Sequence, residues 1–301
     1  MESYRRILCS IILFTASSAI AKLQIFTTTT TLKAIVEEVA GEDAVVESLI
    51  KGTQDPHFIE AKPSYMMRLR KADLLIAVGL DLEIGWLGPV IQGARNPEIF
   101  TGRKGYLEVG SLIEPLHVIT GAVDRAQGDV HPKGNPHFWL DPVRVKTVSV
   151  GLAEKLASLE PASSERFRIR QKVFAQKIDD YMKGWDERVK KTGIKEVVTF
   201  HKSLEYFLVR FNVQSVGTIE PKPGIPPTAR HIMQLLELMK EKKVRCVLNE
   251  SYYETTGAER IRKEIGAKIQ VVPADVGSVE GVNTFFELIE KLVFSLEFCA
   301  K

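Results

Sequence analysis

Three of the six histidines in this 301-residue chain stand in short, proline-stiffened or strand-end segments: Asp55-Pro56-His57-Phe58, Asn135-Pro136-His137-Phe138-Trp139-Leu140-Asp141-Pro142 and Thr199-Phe200-His201-Lys202. Neutral imidazole is the commonest protein ligand for a borderline transition metal, so the chemistry these segments suggest is metal binding. Separations of 80 and 64 residues put the three on different elements, which only the finished fold can bring together. The chain has no His-x-x-x-His or Cys-x-x-Cys pair, which excludes a local zinc finger or a metalloprotease helix.

Three imidazoles leave a tetrahedral Zn²⁺ shell one donor short, and a carboxylate would also lower the charge of the site. Asp275, at a strand-to-loop exit, is favoured for that place over Glu250. Asp55 reads as a partner that orients an imidazole, and Asp141 as a helix cap. Glu220, in Glu220-Pro221-Lys222-Pro223-Gly224, reads as bonded to backbone amides of a stiff surface loop. His117 and His131 fall in a polar segment containing Gly121, Gly128 and Gly134 and read as solvated loop residues, ahead of an accessory role in capturing metal; His231 reads as a helix-face residue.

The elements that must position these donors alternate strand-like and helix-like segments, the pattern of an α/β architecture with mainly parallel sheets. Residues 23–28 read as a strand, 32–40 as a threonine-capped helix ending at Gly41, 44–50 as a strand running toward His57, 63–71 as a helix, and 72–78 as a strand buried on both faces. A second set has strands over 197–200, 213–219, 244–248 and 269–272, which end on His201, on Glu220, on Asn249-Glu250 and near Asp275. Ligands of open α/β sheets bind beyond the carboxyl ends of strands, where these polar groups lie. Between the sets, residues 161–193 carry one helical stripe of Phe167, Phe174, Ile178, Tyr181, Trp185 and Val189, which reads as core packing. Such a helix is roughly 45 Å long, a rigid connector between two lobes. The expected division is a signal segment over 1–21, one lobe over 22–160, the linking helix over 161–193 and a second lobe over 194–301.

Composition agrees with a globular, exported protein. The chain is 45% hydrophobic and 26% charged, and its net charge of +3 comes from 41 basic and 38 acidic residues intermixed along its length. That leaves no basic stripe for nucleic acid. Arg5-Arg6, an apolar run over 7–16 and Ala19-Ile20-Ala21 read as a cleavable secretory signal. Cys9 lies inside the apolar run, too close to the arginines for a lipidation site, and Cys246 and Cys299 read as one buried and one terminal thiol, unpaired.

The segments together resemble the cluster A-I solute-binding proteins of zinc and manganese ABC importers. The resemblance rests on Asp55-Pro56-His57 with Glu60 and Pro63-Ser64, on Asn135 to Pro142, on His201-Lys202-Ser203 with Tyr206-Phe207, and on Glu220 to Pro227, four segments in the family's order. It implies two α/β lobes joined by one long helix, with the metal between them. It also implies His57 and His137 as ligands from the first lobe and His201 as the first ligand from the second. Histidine at that third place favours zinc, with manganese the alternative. The family's aspartate three residues before a glycine falls on Ala274 here, with Asp275 one place later. The implied partner is the permease of a metal importer at the inner membrane, with the protein a periplasmic monomer that catalyses nothing. The rival from another class is a secreted three-histidine zinc hydrolase with Glu250 as general base.

Overall fold

The computed structural model describes residues 22–121 and 130–301. The expected signal segment, 1–21, lies outside the described residues.

The first lobe is built on strands β1 (Leu23–Thr27), β2 (Ala44–Ser48), β3 (Leu74–Ala77) and β4 (Tyr106–Glu108), all parallel in the order β2-β1-β3-β4. All four residues of β3 are buried, as its unbroken apolar run requires of a central parallel strand. Helix α1 (Thr30–Ala40) starts where the Thr29 side chain accepts from the amide of Leu32 and stops at Gly41. Helices α2 (Pro63–Leu69), α3 (Leu87–Ala94) and α4 (Pro142–Leu159) complete the lobe, with Asp141 capping α4 by accepting from the Val143 amide.

The second lobe repeats the plan with β5 (Glu196–Thr199), β6 (Gln214–Thr218), β7 (Cys246–Glu250) and β8 (Lys268–Val272), parallel in the order β6-β5-β7-β8. Helices α6 (Glu205–Arg210), α7 (Ala229–Glu241), α8 (Thr256–Ile265) and α9 (Phe285–Ala300) accompany it. In both lobes the chain reverses its direction of travel across the sheet beside the first strand, which opens a crevice at the carboxyl ends of β1 and β3 and of β5 and β7. The lobes face each other through those ends.

Helix α5 (Ser164–Thr192) has 29 residues, about 44 Å of helix. It buries Phe167, Phe174, Ile178, Trp185 and Val189. Tyr181, expected in the same stripe, is half-exposed and lays its ring 4.8 Å from that of Phe286 on α9. One apolar core runs from Ile25 and Leu74 in the first lobe through Phe174 and Ile178 to Val197, Leu248 and Leu292 in the second. The two lobes therefore share a core.

Two cross-lobe features hold the crevice at its present width. Gly52 approaches the second lobe so closely that a Cβ there would sit 2.0 Å from the Val276 carbonyl oxygen. Buried Asp141 accepts from Arg144 of its own helix and from both Nε and an Nη of Arg210 on α6.

The cysteines differ from expectation. Cys246 and Cys299 form a disulfide with their Cα atoms 5.5 Å apart, because α9 folds back along β7 and β8 and returns its last turn to the start of β7. No described helix is long and apolar enough to cross a membrane.

Candidate metal centre

His57, His137 and His201 converge in the crevice, and one donor atom from each lies within 4.8 Å of the others. Their ring centroids are 5.1 Å (His57–His137), 5.5 Å (His57–His201) and 5.4 Å (His137–His201) apart. His137 and His201 are buried, and His57, partly exposed as a residue, buries its side chain. Each comes from a different kind of segment: the long exit from β2, the turn before α4, and the second residue after β5.

Each imidazole is aimed through its Nδ1. Asp55 Oδ1 accepts from the backbone amide of His57 at 3.0 Å and lies 2.6 Å from its Nδ1. Asn135 Oδ1 does the same for His137, at 3.0 Å and 2.8 Å. The Asx-Pro-His spacing common to both segments thus makes one device twice: a two-residue turn in which a single side-chain oxygen fixes backbone and ring together. On His201 the Nδ1 partner is Glu220 Oε1, whose other oxygen accepts from the Gly224 amide at 3.2 Å. With Nδ1 engaged on all three rings, Nε2 is the nitrogen each can offer a metal, and an Nδ1–H bonded to a carboxylate or amide oxygen raises its basicity.

The supports are themselves braced. The buried indole of Trp86 donates to the Pro56 carbonyl at 3.0 Å, which holds the Asp55 turn against the first lobe. Asn135 Nδ2 donates to the Lys202 carbonyl at 2.8 Å, and the Tyr206 hydroxyl donates to the Asn135 carbonyl at 2.7 Å, so the His137 turn is tied to the second lobe. Burial acts to raise the Asp55 carboxyl, but its bond to His57 and the charge there hold it below its ordinary value. His137 is pushed well below the usual imidazole range, first by burial and then by charge at His57 and His201. An imidazole kept neutral in this way presents a lone pair instead of a proton.

The carboxylates nominated for the fourth place are not among the donors that lie within 4.8 Å of one another. Asp275, buried just beyond β8, accepts through Oδ1 from the Thr31 amide at 2.6 Å, from the hydroxyls of Thr30 and Thr31, and from the Val276 amide. It thus clasps the amino end of α1 across the crevice, and its Oδ2 is buried with no hydrogen-bond partner among the described residues. Burial lifts its carboxyl to about 6 despite those donors. Glu250 is buried behind His201, where Oε1 and Oε2 accept from the amides of Phe200 and His201 and from the Ser203 hydroxyl. Burial lifts it to about 7.

The remaining histidines divide. His117 is exposed beside Glu205, at 3.6 Å, and His231 Nε2 meets the Thr218 carbonyl at 2.9 Å. His131, expected in solvent, is instead turned inward: its ring centroid lies 5.2 Å from that of His57, and neither ring nitrogen has a hydrogen-bond partner among the described residues. Burial, then charge at His57 and His201, drives it down to about 3.

The family described as zinc-uptake complex component A, periplasmic, matches the chain over residues 25–299. The chain belongs to this family. Among members with curated names, it is 25% identical over 272 residues to the zinc-binding lipoprotein AdcA of Streptococcus pneumoniae, covering 88% of this chain and 53% of that one. It is 23% identical over 312 residues to the high-affinity zinc uptake system protein ZnuA of Yersinia pestis, covering 98% and 96%. The chain thus spans about half the length of the pneumococcal relative. A crystal structure of ZnuA superposes with a TM-score of 0.79 at 22% identity, covering 93% of this chain and all of that one, which establishes the shared two-lobed fold.

Proposed function

We propose that this protein captures a divalent transition metal, zinc ahead of manganese, between its lobes and delivers it to the permease of an ABC importer. It does so outside the inner membrane, as a monomer that catalyses nothing. The observation that carries this reading is the convergence of three imidazoles from two lobes, each with Nδ1 already bonded and a donor atom within 4.8 Å of the others. Oriented nitrogen donors suit Zn²⁺ better than the harder Mn²⁺. Relatives named for zinc and for manganese uptake support the same pair of metals.

His57, His137 and His201 are the proposed ligands, with Asp275 the carboxylate within reach of the same crevice through its unpartnered Oδ2. The hydrolase alternative is disfavoured because Glu250 is buried behind His201 with both oxygens held by donors of the second lobe. Titration of the metal-free protein with Zn²⁺ against a chromophoric chelator tests the proposal. One tightly bound equivalent, lost in His57→Ala, His137→Ala and His201→Ala, is the expected result; wild-type protein that takes up no stoichiometric metal would refute it.

A further inference from the structure

We propose that His131 is a fourth imidazole ligand of the same metal, so that the site is built from four histidines. The inference rests on the three-histidine reading above and extends it. Zn–N bonds of 2.0–2.1 Å in a tetrahedron set imidazole centroids roughly 5 Å apart. The three pairs among His57, His137 and His201 have that separation. His131 has it too toward His57, at 5.2 Å, and is 6.5 Å from His137. A ring shift on the order of 1 Å closes the second distance.

Two further observations favour a ligand. Both ring nitrogens of His131 are buried without a hydrogen-bond partner among the described residues, an arrangement native proteins avoid unless an ion or water completes it. Its turn is also held in place: Lys133 pairs with Asp81 at 2.9 Å, the Gly134 amide donates to the His131 carbonyl at 3.0 Å, and the Ile119 amide donates to the Pro132 carbonyl at 3.1 Å. Gly134, at φ 109°, packs where a Cβ would lie 2.6 Å from Pro115 Cβ, so the turn fits only glycine there. Asp81 stands on a loop clamped by buried Glu83, which accepts from the Thr28 hydroxyl and from the amides of Val78 and Gly79. The first lobe thus presents His131 to the metal as deliberately as it presents His57. Asp275, by contrast, is fastened to Thr30 and Thr31 through Oδ1.

Zinc K-edge X-ray absorption counts imidazoles and chelator competition measures affinity, each on the full-length mature protein. Wild type is expected to show four imidazoles, falling to three in His131→Ala and His131→Gln, with affinity weakened roughly 100-fold and one zinc still bound. Lys133→Met, which frees the turn, should weaken binding less, and His117→Ala should match wild type. Three imidazoles plus a carboxylate oxygen in wild type, with His131→Ala binding as tightly, would overturn the inference and leave the three-histidine reading standing. No stoichiometric zinc in wild type would overturn both.

Discussion

At the scale of single residues, the site works by holding its imidazoles oriented, and His137 unprotonated, before metal arrives. The bonds from Asp55, Asn135 and Glu220 to the three Nδ1 atoms imply that these neighbours set affinity without touching the metal. Asp55→Ala and Glu220→Ala should each weaken zinc binding about 10- to 100-fold while leaving the stoichiometry at one, as read by chelator competition. Unchanged affinity in both would mean that the rings are oriented by packing alone. The depression of His137 has a separate consequence. An imidazole that carries no proton has none to displace, so the number of protons released on zinc binding at about pH 6 should be smaller than three ordinary imidazoles would give. Calorimetry in two buffers of different ionisation enthalpy measures that number. In the metal-free protein the same depression costs stability in acid: unfolded His137 takes a proton near pH 6.5 that the folded residue refuses, so its contribution is complete above that pH and is lost as pH falls. Asp275 acts in the opposite sense. Its carboxyl is raised from 3.8 to about 6, so its contribution to stability declines as pH rises between those values. Asp275→Asn, which keeps an oxygen for Thr31, should flatten that part of a thermal-unfolding profile.

At the scale of elements, the most consequential unexpected feature is the disulfide that staples the end of α9 to the start of β7. It closes a loop of 53 residues in sequence, for which chain entropy gives about 4 kcal/mol of stabilisation. Cys299→Ser is expected to lower the unfolding free energy by up to that amount in denaturant titrations, with metal stoichiometry unchanged, since the bond lies at the far side of the sheet from the crevice. The pairing was not legible in the sequence because it depends on α9 running back along β7 and β8, a packing choice that neither cysteine's neighbours announce. Seven of the eight strands were legible, from apolar runs such as Leu74–Ala77 and from the polar residues at their carboxyl ends. The eighth, Tyr106–Glu108, was passed over: three half-buried residues at a sheet edge carry no period to read. The convergence of the three histidines could be anticipated because strand ends and proline turns point to one crevice. The burial of His131 could not, for its polar, glycine-containing surroundings read as solvent-facing. What turns it inward is the pairing of Lys133 with Asp81 and the seating of Gly134 on Pro115, contacts between segments far apart in the chain.

At the scale of the whole molecule, the question is how a site ligated from both lobes opens. A free hinge would need separable lobes, and these share one apolar core threaded by α5. They are also joined at the crevice itself by the Asp275 clasp on Thr30 and Thr31, by the Trp139 indole donating to the Ala274 carbonyl at 3.0 Å, and by Arg210 on Asp141. Asp141 is fully buried, and stripping a buried carboxylate of its partners costs several kcal/mol, so rotation that broke these contacts together would be expensive. Motion is therefore expected to be confined to small shifts of the donor-bearing segments, the turn with His131 and the exit from β2 with His57, while the two sheets keep their relation. Small-angle scattering of metal-free and zinc-loaded protein should give superposable curves, whereas amide hydrogen exchange should slow on loading at residues near His57 and His131 and stay constant along α5. A domain rotation large enough to change the scattering profile would show that the shared core yields, and would move the control of release from local donors to the long helix.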